Sequence, residues 1–184
     1  MNEQVIIAGF GGQGVMSMGQ LIAYAGMMAG KNVSWLPSYG PEMRGGTANC
    51  CVIVSDDNVG SPIVTEATAV LALNRPSLDK FEAAVVPGGH LFINSSLIDK
   101  KAQRDDINVY YIPANDIADE LGSSKIVNSV MLGAYLSRID GINAEGVLEA
   151  LKKVLGPGKA DLIPLNEKAL KAGAAAVSRQ SSER

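Results

Sequence analysis

An α/β fold, with a mostly parallel sheet flanked by helices and a helical C-terminal part, is predicted by three features of the chain. Short apolar runs of strand length alternate with segments of helical period; the first run ends in a glycine cluster that opens a helix; and beyond Ile112 every periodic segment is helical. Alternating strands and helices favour parallel pairing, with helices covering both faces of the sheet.

Each element follows from its pattern. Residues 4–9, QVIIAG, read as a strand, and residues 13–29 read as a helix because Val15, Met18, Leu21, Ile22 and Ala25 recur at helical spacing. Gly30 stops that helix, and residues 32–36 form a second strand broken by Pro37, so the opening reads as a βαβ unit. Residues 38–47, SYGPEMRGGT, hold three glycines and a proline and read as a shaped loop, followed by a strand over 48–55. Further strands are expected at 68–73, 90–94 and 108–112, with a helix at 76–84 and a polar segment at 95–106. Helices are then expected at 113–121, 127–139, 144–155 and 166–177.

With 184 residues, 47% hydrophobic and 19% charged, the chain suits one domain over residues 1–177, with 178–184 as a disordered tail. A net charge of −3 without a long basic run gives no source for phosphate neutralisation, which sets nucleic acid aside. Apolar stretches fall short of the ~20 residues a spanning helix needs, and no basic-then-apolar signal opens the chain, so a cytoplasmic protein without membrane association is expected. Cys50 and Cys51 are neighbours on a strand and point to opposite faces, which suits small core residues. Two cysteines make no four-thiolate site, so no iron–sulfur cluster or other metal is expected on this chain.

Gly9-Phe10-Gly11-Gly12-Gln13-Gly14 satisfies G-x-G-x-x-G between a strand and a helix, which makes the fold Rossmann-like. Free N–H groups at such a helix start favour an anion, whether a ligand phosphate or a partner's carboxylate; a turn that needs glycine for geometry alone is the competing reading. A dinucleotide site would also need an acid at the end of the second strand. Here that strand ends Ser34-Trp35-Leu36-Pro37, and the nearest acid is Glu42 in the loop. His90, the lone histidine, lies in an apolar strand and reads as a satisfied structural residue, so no catalytic residue is assigned. Met16, Met18, Met27 and Met28 on the first helix suit core or interface packing.

The pairing of GFGGQG with PEMRGGT about 30 residues later resembles the gamma subunits of 2-oxoacid:ferredoxin (or other acceptor) oxidoreductases, and the likeness extends to about residue 177. SYGPEMRGGTAN looks more like the 2-oxoglutarate and branched-chain 2-oxoacid members than the pyruvate ones. The resemblance implies an oxidoreductase that converts a 2-oxoacid, with 2-oxoglutarate first in line, and CoA to acyl-CoA, CO2 and reduced ferredoxin-type acceptor. It implies alpha, beta (thiamine diphosphate-binding) and cluster-carrying ferredoxin-like partners, with thiamine diphosphate, CoA and 4Fe–4S clusters in the complex and no cofactor held firmly by this chain. On this reading Gly9, Gly11, Gly12, Gln13 and Gly14 bind a ligand or partner anion together with Arg44, whose guanidinium grips carboxylate or phosphate bidentately. Glu42 orients Arg44, Gly45 and Gly46 let the backbone turn, and Thr47 hydrogen-bonds at the loop exit; a subunit-interface ion pair of Glu42 and Arg44 is the alternative. The alternative function is a free-standing Rossmann nucleotide-binding protein or dehydrogenase.

Overall fold

The structure, a computed structural model, describes residues 1–39 and 47–182. Six strands form one sheet in the order β2-β3-β1-β4-β5-β6: β1 (Asn2–Phe10), β2 (Asn32–Tyr39), β3 (Thr47–Ser55), β4 (Ala67–Ala72), β5 (Val85–Asn94) and β6 (Asn108–Ile112). The β1–β4, β4–β5 and β5–β6 pairings are parallel, which agrees with the expected mostly parallel sheet.

The simple βαβ opening needs correction. β3 runs antiparallel to both β1 and β2 and lies between them, so β1 and β2 point the same way without pairing. Pro37 and the two serines of β2 suit an edge, because proline cannot donate to a ladder on both sides. By contrast β3 buries Cys50, Val52 and Val54 on one face and Ile53 on the other, as an interior strand must.

Alternation along the central strands feeds two cores. Val5 and Ile7 of β1, with Leu71 of β4 and Phe92 of β5, join the larger core beneath α1 (Val15–Met28), α4 (Val127–Leu136), α5 (Ala144–Leu155) and α6 (Ile163–Ser182). Ile6, Val70, Leu91 and Ile93 face the smaller core, which includes Leu78 of α2 (Arg75–Phe81). Cys50 lies in the larger core and Cys51 packs against the smaller one, the opposite-face placement expected of strand neighbours.

Two details were not foreseen. The expected tail at 178–184 is corrected for residues 178–182, which continue α6. There the Gln180 side chain accepts the Tyr111 N–H (2.9 Å) and donates to the Tyr111 carbonyl, taking the place of a neighbouring strand on the β6 edge. The second detail is that α4 and α6 approach so closely that a Cβ at Gly133 would overlap the Leu170 backbone, and one at Gly173 would overlap the Val130 carbonyl oxygen.

Overpacking a close-packed contact costs typically 1–3 kcal/mol, and backbone atoms cannot swing aside. Gly133→Ala should therefore lower stability by about 2–3 kcal/mol or more and depress the thermal midpoint. Gly60→Ala, where the added Cβ meets nothing within 4 Å, should leave the midpoint nearly unchanged in the same denaturation experiment.

Candidate functional site

The site is built at the C-terminal end of the parallel strands, where β1 passes through the glycine turn into α1. Gly12 (φ +90°) and Gly14 (φ +78°) adopt the left-handed conformation that favours glycine. Gly14 is constrained twice, since a Cβ there would also lie 2.9 Å from Asn128 at the start of α4. Gly9 is needed for space: a Cβ would sit 2.6 Å from Gln13 Oε1 and 3.0 Å from Leu73 Cβ.

Gln13 locks the turn. Its Oε1 accepts the Phe10 N–H (2.6 Å), and its Nε2 donates to the Leu73 carbonyl just beyond β4 (3.3 Å). The Leu73 N–H in turn donates to the Ala8 carbonyl (2.9 Å). The Gln13 amide thus bridges the ends of β1 and β4, the crevice in which open α/β sheets receive their ligands. Helix α1 has no side-chain cap and no acid in its first turn, so its positive end is left to whatever docks there.

On one side of the turn is a cavity of about 350 Å³ lined by Phe10, Gly12, Gly14 and Ser17 together with Tyr39 and Thr47. Thr47 pairs with Phe10 in the β1–β3 register, and Tyr39 pairs with Ala48, so both anchors of the 40–46 loop meet the glycine turn. Of the expected site residues, Gly9, Gly11, Gly12, Gln13, Gly14 and Thr47 are therefore brought together. Glu42, Arg44, Gly45 and Gly46 lie outside the described residues.

A second cavity of about 190 Å³ lies on the other side, where Gly12, Gln13 and Gly14 meet Asn115, Lys125 and Asn128. Sequence reasoning missed these three partners, which come more than 100 positions later and converge only through the sheet order. Asn115 belongs to α3 (Ala114–Glu120), seated by Asn94: the Asn94 Nδ2 donates to Asn115 Oδ1 (2.8 Å), and its Oδ1 accepts the Ala114 N–H (3.3 Å).

His90 is remote from both cavities. It pairs with Ala69 in mid-sheet, its Nδ1 lies 3.2 Å from the Tyr110 hydroxyl, and burial, then the charge of Arg138, holds its pKa below the usual value. It is a half-buried, hydrogen-bonded strand residue, as expected. Among the described residues no group of three or more His, Cys, Asp or Glu could hold a metal ion, and no helix is long and apolar enough to cross a membrane.

The sequence matches the pyruvate ferredoxin/flavodoxin oxidoreductase family over residues 4–176. The chain belongs to that family. It is 40% identical over 172 residues to ketoisovalerate oxidoreductase subunit VorA of Methanothermobacter marburgensis, covering 93% of this chain and 36% of that protein. The chain thus spans about a third of the length of that relative. It is 31% identical over 152 residues to 2-oxoglutarate synthase subunit KorC of Methanocaldococcus jannaschii, covering 81% of each. Among solved structures it resembles the gamma subunit of a keto/oxoacid ferredoxin oxidoreductase from Geobacter sulfurreducens, with a TM-score of 0.81, 28% identity and coverage of 96% and 99%. The resemblance carried by GFGGQG and PEMRGGT is borne out, and the mixed α/β sheet is that of the family's gamma subunit.

Beneath the first turn of α1 lies Cys50, whose Sγ donates to the Val15 carbonyl (3.5 Å). Burial pushes this thiol up to about 12. An unfolded thiol ionises near 8.5, so the contribution is fully present below that pH and is lost as pH rises toward about 12. Urea midpoints measured from pH 8 to pH 10.5 should fall more steeply for the native chain than for Cys50→Ala; equal slopes would contradict the assignment.

Proposed function

We propose that this chain is the gamma subunit of a thiamine-diphosphate-dependent 2-oxoacid:acceptor oxidoreductase, acting in the cytoplasm with alpha, beta and cluster-carrying ferredoxin-like subunits. The assembly converts a 2-oxoacid and CoA to acyl-CoA and CO2, releasing one proton and passing two electrons to a ferredoxin-type acceptor. The observation that carries this reading is spatial: the glycine turn and both anchors of the PEMRGG loop line one cavity at the uncapped start of α1.

Thiamine diphosphate supplies the electron sink in such a reaction, so this subunit needs no nucleophile of its own. The two cysteines on opposite strand faces do not fit 4Fe–4S ligation. This chain instead offers main-chain donors at the turn, Thr47 beside them and Lys125 behind them, which suit an anionic substrate group or a partner's carboxylate. Arg44 is proposed to contact that anion, with Glu42 orienting it and Gly45 and Gly46 letting the backbone turn.

2-Oxoglutarate is the first substrate to test, supported by the KorC relative with similar coverage of both chains. The higher identity to VorA favours a branched-chain 2-oxoacid as the second reading. CoA-dependent reduction of a viologen dye should appear only when the chain is combined with its partner subunits, and the preferred 2-oxoacid identifies the substrate. Turnover by the chain alone would overturn the proposal. In the assembled enzyme Arg44→Ala should raise KM for CoA or the 2-oxoacid by several fold or more, up to the roughly ten- to hundred-fold that full loss of a charge-assisted contact of ~1.5–3 kcal/mol would give; unchanged constants would reject the loop's role.

A further inference from the structure

The two edges of the sheet are treated differently. At the β6 edge, Gln180 of α6 pairs with both the N–H and the carbonyl of Tyr111, closing that side to another strand. Among the described residues no strand lies beyond the β2 edge, and its eight residues, NVSWLPSY, carry no charge. An uncharged edge of this length is a template for another chain, and natural proteins ordinarily blunt such edges with lysines or cover them. Pro37 removes one donor and leaves the rest of the edge available.

Apolar exposure is concentrated near the same edge, with Leu36 on the face opposite α1. Six of the eleven large hydrophobic side chains exposed among the described residues lie on β2 and on α1, which packs against it: Tyr24, Met27, Met28, Trp35, Leu36 and Tyr39. Met27 is 59% exposed and Leu36 38%, whereas Met18 of the same helix is fully buried. The outward methionines of α1 therefore do not serve this chain's own core, and adaptable methionines suit a protein-binding surface.

We propose that the β2 edge and the outer face of α1 form the docking surface for the polypeptide that corresponds to the remaining roughly two thirds of VorA. The argument for that occupant is the domain's double life. The same sequence accounts for 81% of KorC but only 36% of VorA, so a unit that is nearly a whole chain in one relative is covalently joined to a larger body in another. The apolar surface of this unit is explained if the body joined to it in VorA packs against it. The partner contributes an extended uncharged segment against β2 and apolar side chains against Met27 and Met28. The inference rests on family membership and not on the reaction, so partner binding without 2-oxoacid turnover would sink the functional proposal and leave this surface standing.

Hydrogen exchange on the unmodified full chain, with and without that partner subunit, tests the surface. The β2 amides that point away from β3, on every second residue along the strand, should slow at least roughly ten-fold on complex formation, while those of β6 should not change. In parallel, the paired change Met27→Glu with Met28→Lys should weaken association by at least roughly ten-fold while preserving the thermal midpoint. Leu97→Lys, an exposed apolar position after β5, should leave association intact. A complex that forms without slowing β2, or that survives the paired change and is lost with Leu97→Lys, overturns the proposal. So does concentration-dependent slowing of β2 in the isolated chain that the partner leaves unaltered, because the occupant would then be a second copy.

Discussion

Nine residue pairs, from Asn2↔Ser55 to Phe10↔Thr47, bind β3 antiparallel along the whole of β1, and much of the molecule's character depends on that ladder. It displaces β2 by one strand, so β2 ends roughly 9–10 Å from β1, two inter-strand spacings away. A dinucleotide site needs the second strand beside the first, with an acid at its end to hold the ribose. Here neither condition is met, and the crevice between β1 and β4 is bridged by Gln13. The same ladder sets Thr47 against Phe10, and Tyr39 pairs with Ala48, so both residues line the cavity beside the glycine turn. One pairing thus works against a dinucleotide site and shapes that cavity.

How much of this was legible in the sequence depended on how local each cause was. Helix α5 matches its expected span of 144–155, because its period is strong and Asn143 caps it by accepting the Gly146 N–H. The first strand, the glycine turn and α1 were equally readable from apolar period and glycine placement. The antiparallel insertion was not, since residues 38–47 are loop chemistry whether the chain crosses over or doubles back. Pro37 and the two serines were the local signs that β2 belongs at an edge.

The candidate site divides the same way. Gly9, Gly11, Gly12, Gln13, Gly14 and Thr47 converge because motif and register act over short distances. Lys125, Asn115 and Asn128 reach the turn only after six strands have been ordered, so no local pattern could have named them. Gly133 and Gly173 are likewise silent in a helical window, where glycine reads merely as a weak helix former; their meaning is the close approach of α4 to α6. The glycine spacing of the turn left a dinucleotide site, a partner or substrate anion site and a purely structural turn open, and the sheet order argues against the first.

Calorimetric titration of the isolated full chain with NAD+ and NADP+ tests most directly whether the inserted strand and the Gln13 bridge have removed the dinucleotide site. No saturable binding is expected up to about 1 mM, a weak limit equivalent to roughly 4 kcal/mol of affinity. Saturation at micromolar concentration would contradict the account and restore a free-standing nucleotide-binding protein.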